Sequence, residues 1–233
     1  MSLIARIAVI VALTPLVACG PIEINANQIR TIDDVPHLGP GERQIDLVDV
    51  GHGLAILVRS QGAVLLYDGG TSEPDELGDD RFGDSRLLAW LFATVGPSGD
   101  ADCTPSGDDW EPIDRRALTL DLLVLSHPHE DHGLLLDEVV ACYDVAEAWL
   151  PGSVNEAPFY GELTGALAAA EVPWRAPREL DGLDADLHGS LEAGHAAALG
   201  TGIDVTVLSA PAEARPDDLN DSSLVLRVDL GDF

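Results

Sequence analysis

The first part of the chain alternates apolar and polar residues in short segments separated by turns. The segment 44–50 (QIDLVDV) alternates as a strand with one buried face does. The apolar segments 54–59 and 63–67 follow the turns 51–53 (GHG) and 61–62 (QG). We therefore predict an antiparallel meander of three strands at the start of the fold.

After this meander the pattern changes to strands that alternate with helices. Apolar spacing predicts a helix over 85–94, and 118–125 is a nearly continuous apolar run, as in a strand buried on both faces. The remaining predicted elements are helices near 133–141 and 159–170 and strands at 146–150, 203–208 and 223–230. This order indicates an α/β fold, a sheet layer with helices packed on it.

The N-terminus has the pattern of an export signal. Residues 1–18 contain Arg6 and then an apolar run too short to span a bilayer. The run ends at 16–20 (LVACG), which resembles the lipobox of bacterial lipoproteins, so Cys19 would carry a lipid anchor in the cell envelope. The alternative is a buried helix that ends in a chance cysteine. We divide the chain into a signal peptide (1–18), an irregular tether (19–43) and a folded domain (44–233).

Charge and cysteine content limit the partners. The formal net charge is -29 and all 12 basic residues are arginines, so we expect no tight binding of nucleic acid phosphates. A phosphate-bearing substrate stays compatible with this charge, because a bound metal dominates its local potential. Cys103 and Cys142 would form a disulfide in an oxidising compartment, and two free thiols are the equal alternative.

The segment 127–132 (HPHEDH) holds four candidate metal ligands directly after the buried run. Residues two apart on an extended segment project to the same side, so His127 and His129 can close on one ion. Asp131 and His132 follow where the chain turns into a helix and would face a second, neighbouring position. Histidine with a carboxylate suits zinc, with iron or manganese as alternatives. Zinc lowers the pKa of bound water to about 7, which supplies hydroxide for hydrolysis, and Asp131 could orient that water.

This run resembles the His-x-His-x-Asp-His signature of the metallo-β-lactamase superfamily. The segments 48–53 (VDVGHG), 66–70 (LYDGG) and 220–226 (NDSSLVL) are similar to the hydrolase domain of ComEC-type competence proteins and its free-standing relatives. The resemblance implies an αββα sandwich, two zinc sites and a hydrolase acting on an ester-type bond, with phosphodiesters favoured and lactams or thioesters as alternatives. It also implies that Asp68 lies behind the metal ligands, where the residue pattern alone allows an ordinary turn aspartate.

The chain departs from that family in two places. The relatives read Gly-Gln-Gly-Asp where 51–54 is GHGL, so we interpret His52 as a turn residue rather than a polar group of the site. The family's bridging aspartate and late histidine would come after the strand at 223–230, so we expect an N-terminal part of the fold with an exposed edge strand. We interpret His188 and His195 as surface residues rather than substitutes. A non-catalytic metal-binding or interaction lipoprotein is therefore the second hypothesis.

Overall fold

The computed structural model describes residues 38–60, 62–71, 85–96, 119–200, 202–213 and 218–231. The predicted signal peptide at 1–18, the predicted lipidation site Cys19 and also Cys103 lie outside these residues, as does most of the predicted tether. Cys142 is disulfide-bonded. Within the described residues, no helix is long and apolar enough to cross a membrane.

The described residues form strands and helices in the following order. The first group is β1 (Arg43–Leu47), β2 (Ile56–Ser60), β3 (Ala63–Tyr67), α1 (Arg86–Thr94), β4 (Thr119–Leu120) and β5 (Leu122–Val124). The second group is α2 (Glu130–Gly133), α3 (Leu136–Cys142), β6 (Asp144–Val145), β7 (Ala148–Trp149), α4 (Pro158–Ala169) and β8 (Trp174–Ala176). The last group is β9 (His188–Ser190), β10 (Ala196–Leu199), β11 (Ile203–Ser209) and β12 (Val225–Asp229), with short 3-10 turns at Ala185–Leu187 and Leu219–Ser222.

The largest sheet has seven strands in the order β1-β2-β3-β5-β7-β8-β9. Strands β1, β2 and β3 pair antiparallel, which confirms the predicted meander. From β3 to β9 every neighbouring pair is parallel, so these strands all end at the same edge. Helices connect most of the parallel strands, as right-handed crossovers between parallel neighbours require.

Two apolar cores define three layers. One core lies between the large sheet and α1, α3 and α4, and contains residues such as Leu66, Leu91, Leu123, Val139 and Leu163. The other lies between the large sheet and a three-stranded antiparallel sheet, β10-β11-β12, and contains residues such as Leu65, Val124, Trp149, Val205 and Leu224. The α/β class is confirmed, and the layer order is helices, sheet, sheet. The described residues form no second helical layer on the outer face of the small sheet.

Some predicted elements have different bounds. The apolar run at 118–125 is not one strand, because Asp121 interrupts it: its carboxylate accepts a hydrogen bond from Val64 N at 2.7 Å and its N–H donates to Val64 O at 2.9 Å. The helix predicted near 133–141 begins at Glu130 and breaks before Leu136. Two acidic residues in the first turn favour this earlier start. Strands β6, β8, β9 and β10 were not predicted, because two to four residues give too short a pattern.

The C-terminal strand β12 lies at an edge of the small sheet, as predicted for 223–230. Its side chains alternate between exposed and half-buried positions, and Leu226 and Val228 face the core between the sheets. Alternation of this kind is expected for an antiparallel strand with one face in contact with a core.

Candidate metal centre

The histidine segment follows β5, a central strand of the parallel part of the sheet. Strand β5 is fully buried, and burial continues through Ser126 and His127, which are only 4% and 6% exposed. The carboxyl ends of parallel strands form the edge at which open α/β sheets bind their ligands. The sequence thus places its most reactive side chains at this edge.

His127 lies between two other imidazoles. Its ring centroid is 4.8 Å from that of His129 and 4.0 Å from that of His132. His129 has an extended backbone (φ -98°, ψ 151°) and caps α2, whose first turn ends with His132. The structure therefore brings His127 and His129 to the same side, as expected from their spacing. The ring of His132 lies closer to that of His127 than the ring of His129 does.

Asp68 lies directly behind this cluster and is fully buried. It follows β3 with a positive φ of 60°, and its N–H donates to Val124 O at 2.8 Å, which fixes it beside the end of β5. Its Oδ1 accepts a hydrogen bond from Ser126 N at 2.7 Å, and its Oδ2 contacts His132 Nδ1 at 2.8 Å. A carboxylate bonded to Nδ1 orients an imidazole and leaves Nε2 for a metal.

Ser126 connects the carboxylate to two of the rings. Its hydroxyl donates to Asp68 Oδ2 at 2.6 Å and lies 2.9 Å from His127 Nδ1 and 3.4 Å from His132 Nδ1. Since the hydroxyl proton is used by Asp68, the oxygen accepts from the Nδ1–H of His127. Sequence reasoning missed Ser126. The available signal was a polar residue between a buried strand and the first histidine.

Electrostatics keep His127 neutral. Burial, and then the nearby His132 and His129, lower the pKa of His127 to about 4, while Asp131 and Asp218 oppose this change. A neutral imidazole is the form that binds metals. Burial also disfavours the charged form of His132, but the hydrogen bond and charge of Asp68, together with Asp131, raise its pKa overall. Burial raises the pKa of Asp68, and its hydrogen bonds with His132 and Ser126 offset part of this increase.

The donor set suits a metal in its chemistry. Nδ1 of both His127 and His132 is engaged, so Nε2 is the nitrogen that each ring has left to offer. Asp131 Oδ2 lies 3.7 Å from His132 Nε2, and its side chain is 34% exposed. Imidazole nitrogens with a carboxylate oxygen are zinc ligands. In the described part of the chain, however, no three side chains of His, Cys, Asp or Glu are arranged so that they hold one ion.

A glycine turn forms one wall of the histidine segment. Leu54 N donates to Asp131 O at 3.2 Å. Gly53 has a φ of +104°, and a Cβ at this position would lie 1.6 Å from Asp131 O, so only glycine fits. His52 is exposed within this turn, and its carbonyl oxygen accepts a hydrogen bond from Thr71 Oγ1 at 2.9 Å. Its position agrees with the turn interpretation.

Two further segments hold the other side of the site. Asn155 Nδ2, in the loop after β7, donates to Pro128 O at 2.6 Å. Leu224 N donates to Ser126 O at 2.8 Å, and Leu224 O accepts from the Tyr67 hydroxyl at 2.7 Å. Asp218 lies close enough for its charge to act on His127. Sequence reasoning missed Asn155 and Asp218, because nothing in the local pattern joins loops so far apart in the chain. Tyr67 and Leu224 lie in the segments quoted for the family resemblance, but their contacts were not predicted.

The two remaining described histidines lie outside the cluster. His188 stacks on Trp174 with a centroid distance of 4.4 Å, and His195 contacts Trp149 edge to face at 5.3 Å. Both are half-buried, so they are packing residues rather than the surface residues expected from the sequence. Neither provides the late histidine of the family signature.

The chain has sequence similarity to a curated protein over half of its length. No protein-family model matches it. The "Uncharacterized protein YcaI" of Escherichia coli (strain K12) is 27% identical over 116 residues, which cover 50% of this chain and 12% of that protein. The chain thus spans a small part of that relative's length.

Similar solved structures include two metallo-β-lactamases and one protein described as having that fold. SMB-1, crystallised with mercaptoacetic acid, is 15% identical with a TM-score of 0.42, covering 84% of this chain and 59% of its own. MIM-2 is 17% identical with a TM-score of 0.38, covering 84% and 61%. YhfI of Bacillus subtilis is 13% identical with a TM-score of 0.36, covering 79% and 58%. At TM-scores below 0.5 this likeness adds nothing to the argument for function, which depends on the site itself.

Proposed function

We propose that this protein is an exported metal-dependent hydrolase of the metallo-β-lactamase superfamily, with His127, His129, Asp131 and His132 as its metal ligands. One observation supports this most strongly. Three imidazoles gather at the carboxyl edge of the parallel strands, and the Nδ1 atoms of two of them are already bonded to Ser126 or Asp68. A structural role alone does not require three adjacent histidines tied in this way.

A divalent cation held by these residues, zinc or alternatively manganese or iron, would supply Lewis acidity and a water of lowered pKa. The chain's own groups have separate tasks. Asp68 and Ser126 fix the orientation of the two rings that they contact. Asp131 is the partly exposed carboxylate of the cluster, so it is the group able to orient an attacking water and accept its proton. His127, kept neutral by burial, offers a nitrogen lone pair.

Export to the cell envelope is supported by two features. The segment 16–20 resembles a lipobox, so Cys19 would anchor the mature protein through lipid. Cys142 is disulfide-bonded, and disulfides persist mainly in oxidising compartments. Membrane contact would then occur through the lipid alone.

The ComEC-like segments favour a phosphodiester as the substrate, and lactams or thioesters are the alternatives. The net charge of -29 opposes tight binding of a long polyanion such as nucleic acid. A small phosphoester with one or two charges meets much less repulsion, particularly beside a bound cation. We therefore propose small phosphoesters first.

A non-catalytic metal-binding or interaction lipoprotein is the competing function. It is favoured by the finding that, in the described ranges, no three potential ligands form a closed set around one point. A metal bound weakly by two imidazoles would suit a protein that has lost turnover but retained the loop.

Metal analysis of the purified protein tests both functions. We expect stoichiometric zinc and turnover of a phosphodiester such as bis(p-nitrophenyl) phosphate, with nitrocefin as the lactam arm. His129→Ala should lose both metal and turnover. His195→Gln, a histidine outside the cluster, is the matched control and should retain both. Full turnover in His129→Ala would refute the ligand assignment, and zinc without turnover of either compound in the unmodified protein would favour the non-catalytic function.

A further inference from the structure

Arg178 lies on the same sheet edge as the histidine cluster. It comes two residues after the end of β8, and β8 is two strands from β5 in the large sheet. Neighbouring strands are about 4.8 Å apart, so its backbone lies roughly 10 Å from the end of the strand that leads to His127. An extended arginine side chain covers much of that distance.

The side chain is directed towards the loop between β7 and α4. Arg178 Nε donates to Gly152 O at 2.5 Å, and Gly152 is in the loop that follows β7, the strand between β8 and β5. The same loop contains Asn155, which donates to Pro128 O of the histidine segment at 2.6 Å. A single loop therefore contacts both the arginine and the main chain of the histidine segment.

Arg178 differs from most of the other described arginines in its charge environment. Four of them are paired with carboxylates: Arg59 with Asp46, Arg86 with Asp49, Arg175 with Glu147 and Arg227 with Asp229. Arg43 starts β1 opposite Ser60, at the other edge of the sheet. Among the described residues, Arg178 has no carboxylate partner and bonds only to main-chain oxygens, Gly152 O and Glu179 O.

A second donor without an acceptor lies near this guanidinium. The Tyr160 hydroxyl is buried and has no hydrogen-bond partner within the described residues. Burial raises the pKa of Tyr160 to about 12, and the nearby charge of Arg178 opposes that increase. Its neighbour Phe159 contacts the position of Gly133, directly after His132. The guanidinium of Arg178 and the buried Tyr160 hydroxyl of α4 thus lie close to one another.

We propose that Arg178 binds an oxyanion of the substrate and so positions the scissile bond at the metal centre. Two of the five N–H donors of the guanidinium are used by Gly152 O and Glu179 O, and the other three have no partner among the described residues. A guanidinium binds phosphate and carboxylate oxygens through parallel hydrogen bonds, and in a protein with a net charge of -29 such a local cation favours binding of an anionic substrate. The substrate class is therefore an anionic one, and the assignment rests on the proposed function.

Anion binding tests this without relying on turnover. Inorganic phosphate and acetate are titrated into the zinc-supplemented and zinc-free full-length protein by isothermal titration calorimetry. Arg178→Gln should weaken binding of the preferred anion about 10-fold to 100-fold, as expected for lost hydrogen bonds to a charged group. Arg178→Lys keeps the charge but lacks the planar guanidinium. Its anion affinity should therefore lie between that of the unmodified protein and that of Arg178→Gln. Arg227→Gln, on the small sheet, should match the unmodified protein.

The two anions distinguish the possible sources of the oxyanion. A larger effect of Arg178→Gln on phosphate indicates a phosphoester substrate, and a larger effect on acetate indicates a carboxylate such as that of a lactam. If the unmodified protein binds neither anion, or if a folded Arg178→Gln binds both as tightly, the proposal is wrong.

Turnover separates this proposal from the proposed function. With an active protein, Arg178→Gln should raise the KM for an anionic substrate and leave the KM for the neutral ester p-nitrophenyl acetate unchanged. Equal effects on both substrates would indicate a merely structural role. If the unmodified protein binds no zinc but Arg178→Gln still weakens phosphate binding, the proposed hydrolase function is wrong and the anion site is supported.

Discussion

Two buried aspartates, one within the outer strand β1 and one at the carboxyl ends of the parallel strands, have different kinds of partner. Asp46 pairs with Arg59 at 3.0 Å and also accepts from Trp90 Nε1 at 3.3 Å and Gln44 Nε2 at 2.5 Å. Asp68, at the carboxyl edge, contacts Ser126 and His132 instead. Arg59 stays charged, and its donors hold β1, β2 and α1 together. A histidine that binds a carboxylate through Nδ1 keeps Nε2 for a further ligand. The partner of a buried carboxylate thus distinguishes a structural cluster from a candidate site.

The largest expected effect comes from removing the arginine of the structural pair. Arg59→Met should lower the free energy of unfolding by about 3–5 kcal/mol, because it leaves the buried carboxylate of Asp46 without its counter-charge. Urea denaturation measures this loss. Zinc affinity of the folded fraction should not change. A lowered affinity would show that the Arg59–Asp46 pair and the histidine cluster are not independent.

The next largest effect should come from the glycine turn that lies against the histidine segment. Gly53→Ala should destabilise the protein by about 2–4 kcal/mol and weaken zinc binding, since the new Cβ meets Asp131 O at a residue with positive φ. Gly62→Ala is the matched control: its φ is +84° but no atom lies within 4 Å of the added Cβ. Thermal unfolding of both variants separates backbone strain from the clash. Equal losses would mean that the histidine segment moves aside freely.

Removing the charge of the second aspartate should act on metal binding more than on folding. Asp68→Asn keeps the size of the side chain but weakens its hold on His132, so we expect zinc affinity to fall about 10-fold to 100-fold. Competition with a chelator measures this change. Asp46→Asn should leave zinc affinity intact, and similar affinity losses in the two variants would remove the distinction between them.

The smallest expected effect comes from the hydroxyl that links the carboxylate to His127. Ser126→Ala removes one hydrogen bond to a buried charge, so stability should fall by about 1–3 kcal/mol and zinc affinity by less than in Asp68→Asn. Calorimetric unfolding and the same chelator competition give both values. An affinity loss larger than that of Asp68→Asn would make the hydroxyl, rather than the carboxylate, the main orienting group.

The sequence predicted what depends on local pattern. The meander, helix α1 and helix α4 follow from apolar spacing, and the structure confirms each within a few residues. The three adjacent histidines were also found, because residue type and spacing are local properties. Asp68 came from family resemblance, since 58 residues separate it from Ser126. Asn155, Asp218 and Arg178 could not be found, because their relation to the histidines arises only when separate strand ends meet at one sheet edge.

The bonds of Leu224 have a consequence for the order of folding. Its N–H binds Ser126 and its carbonyl accepts from Tyr67, a contact across 157 residues. Contacts so distant in the chain form late, because the intervening segment must first be closed. During synthesis the histidine segment therefore leaves the ribosome well before the residue that fastens it. Binding of a metal by the ordered histidine segment should then follow synthesis and folding of the C-terminal sheet.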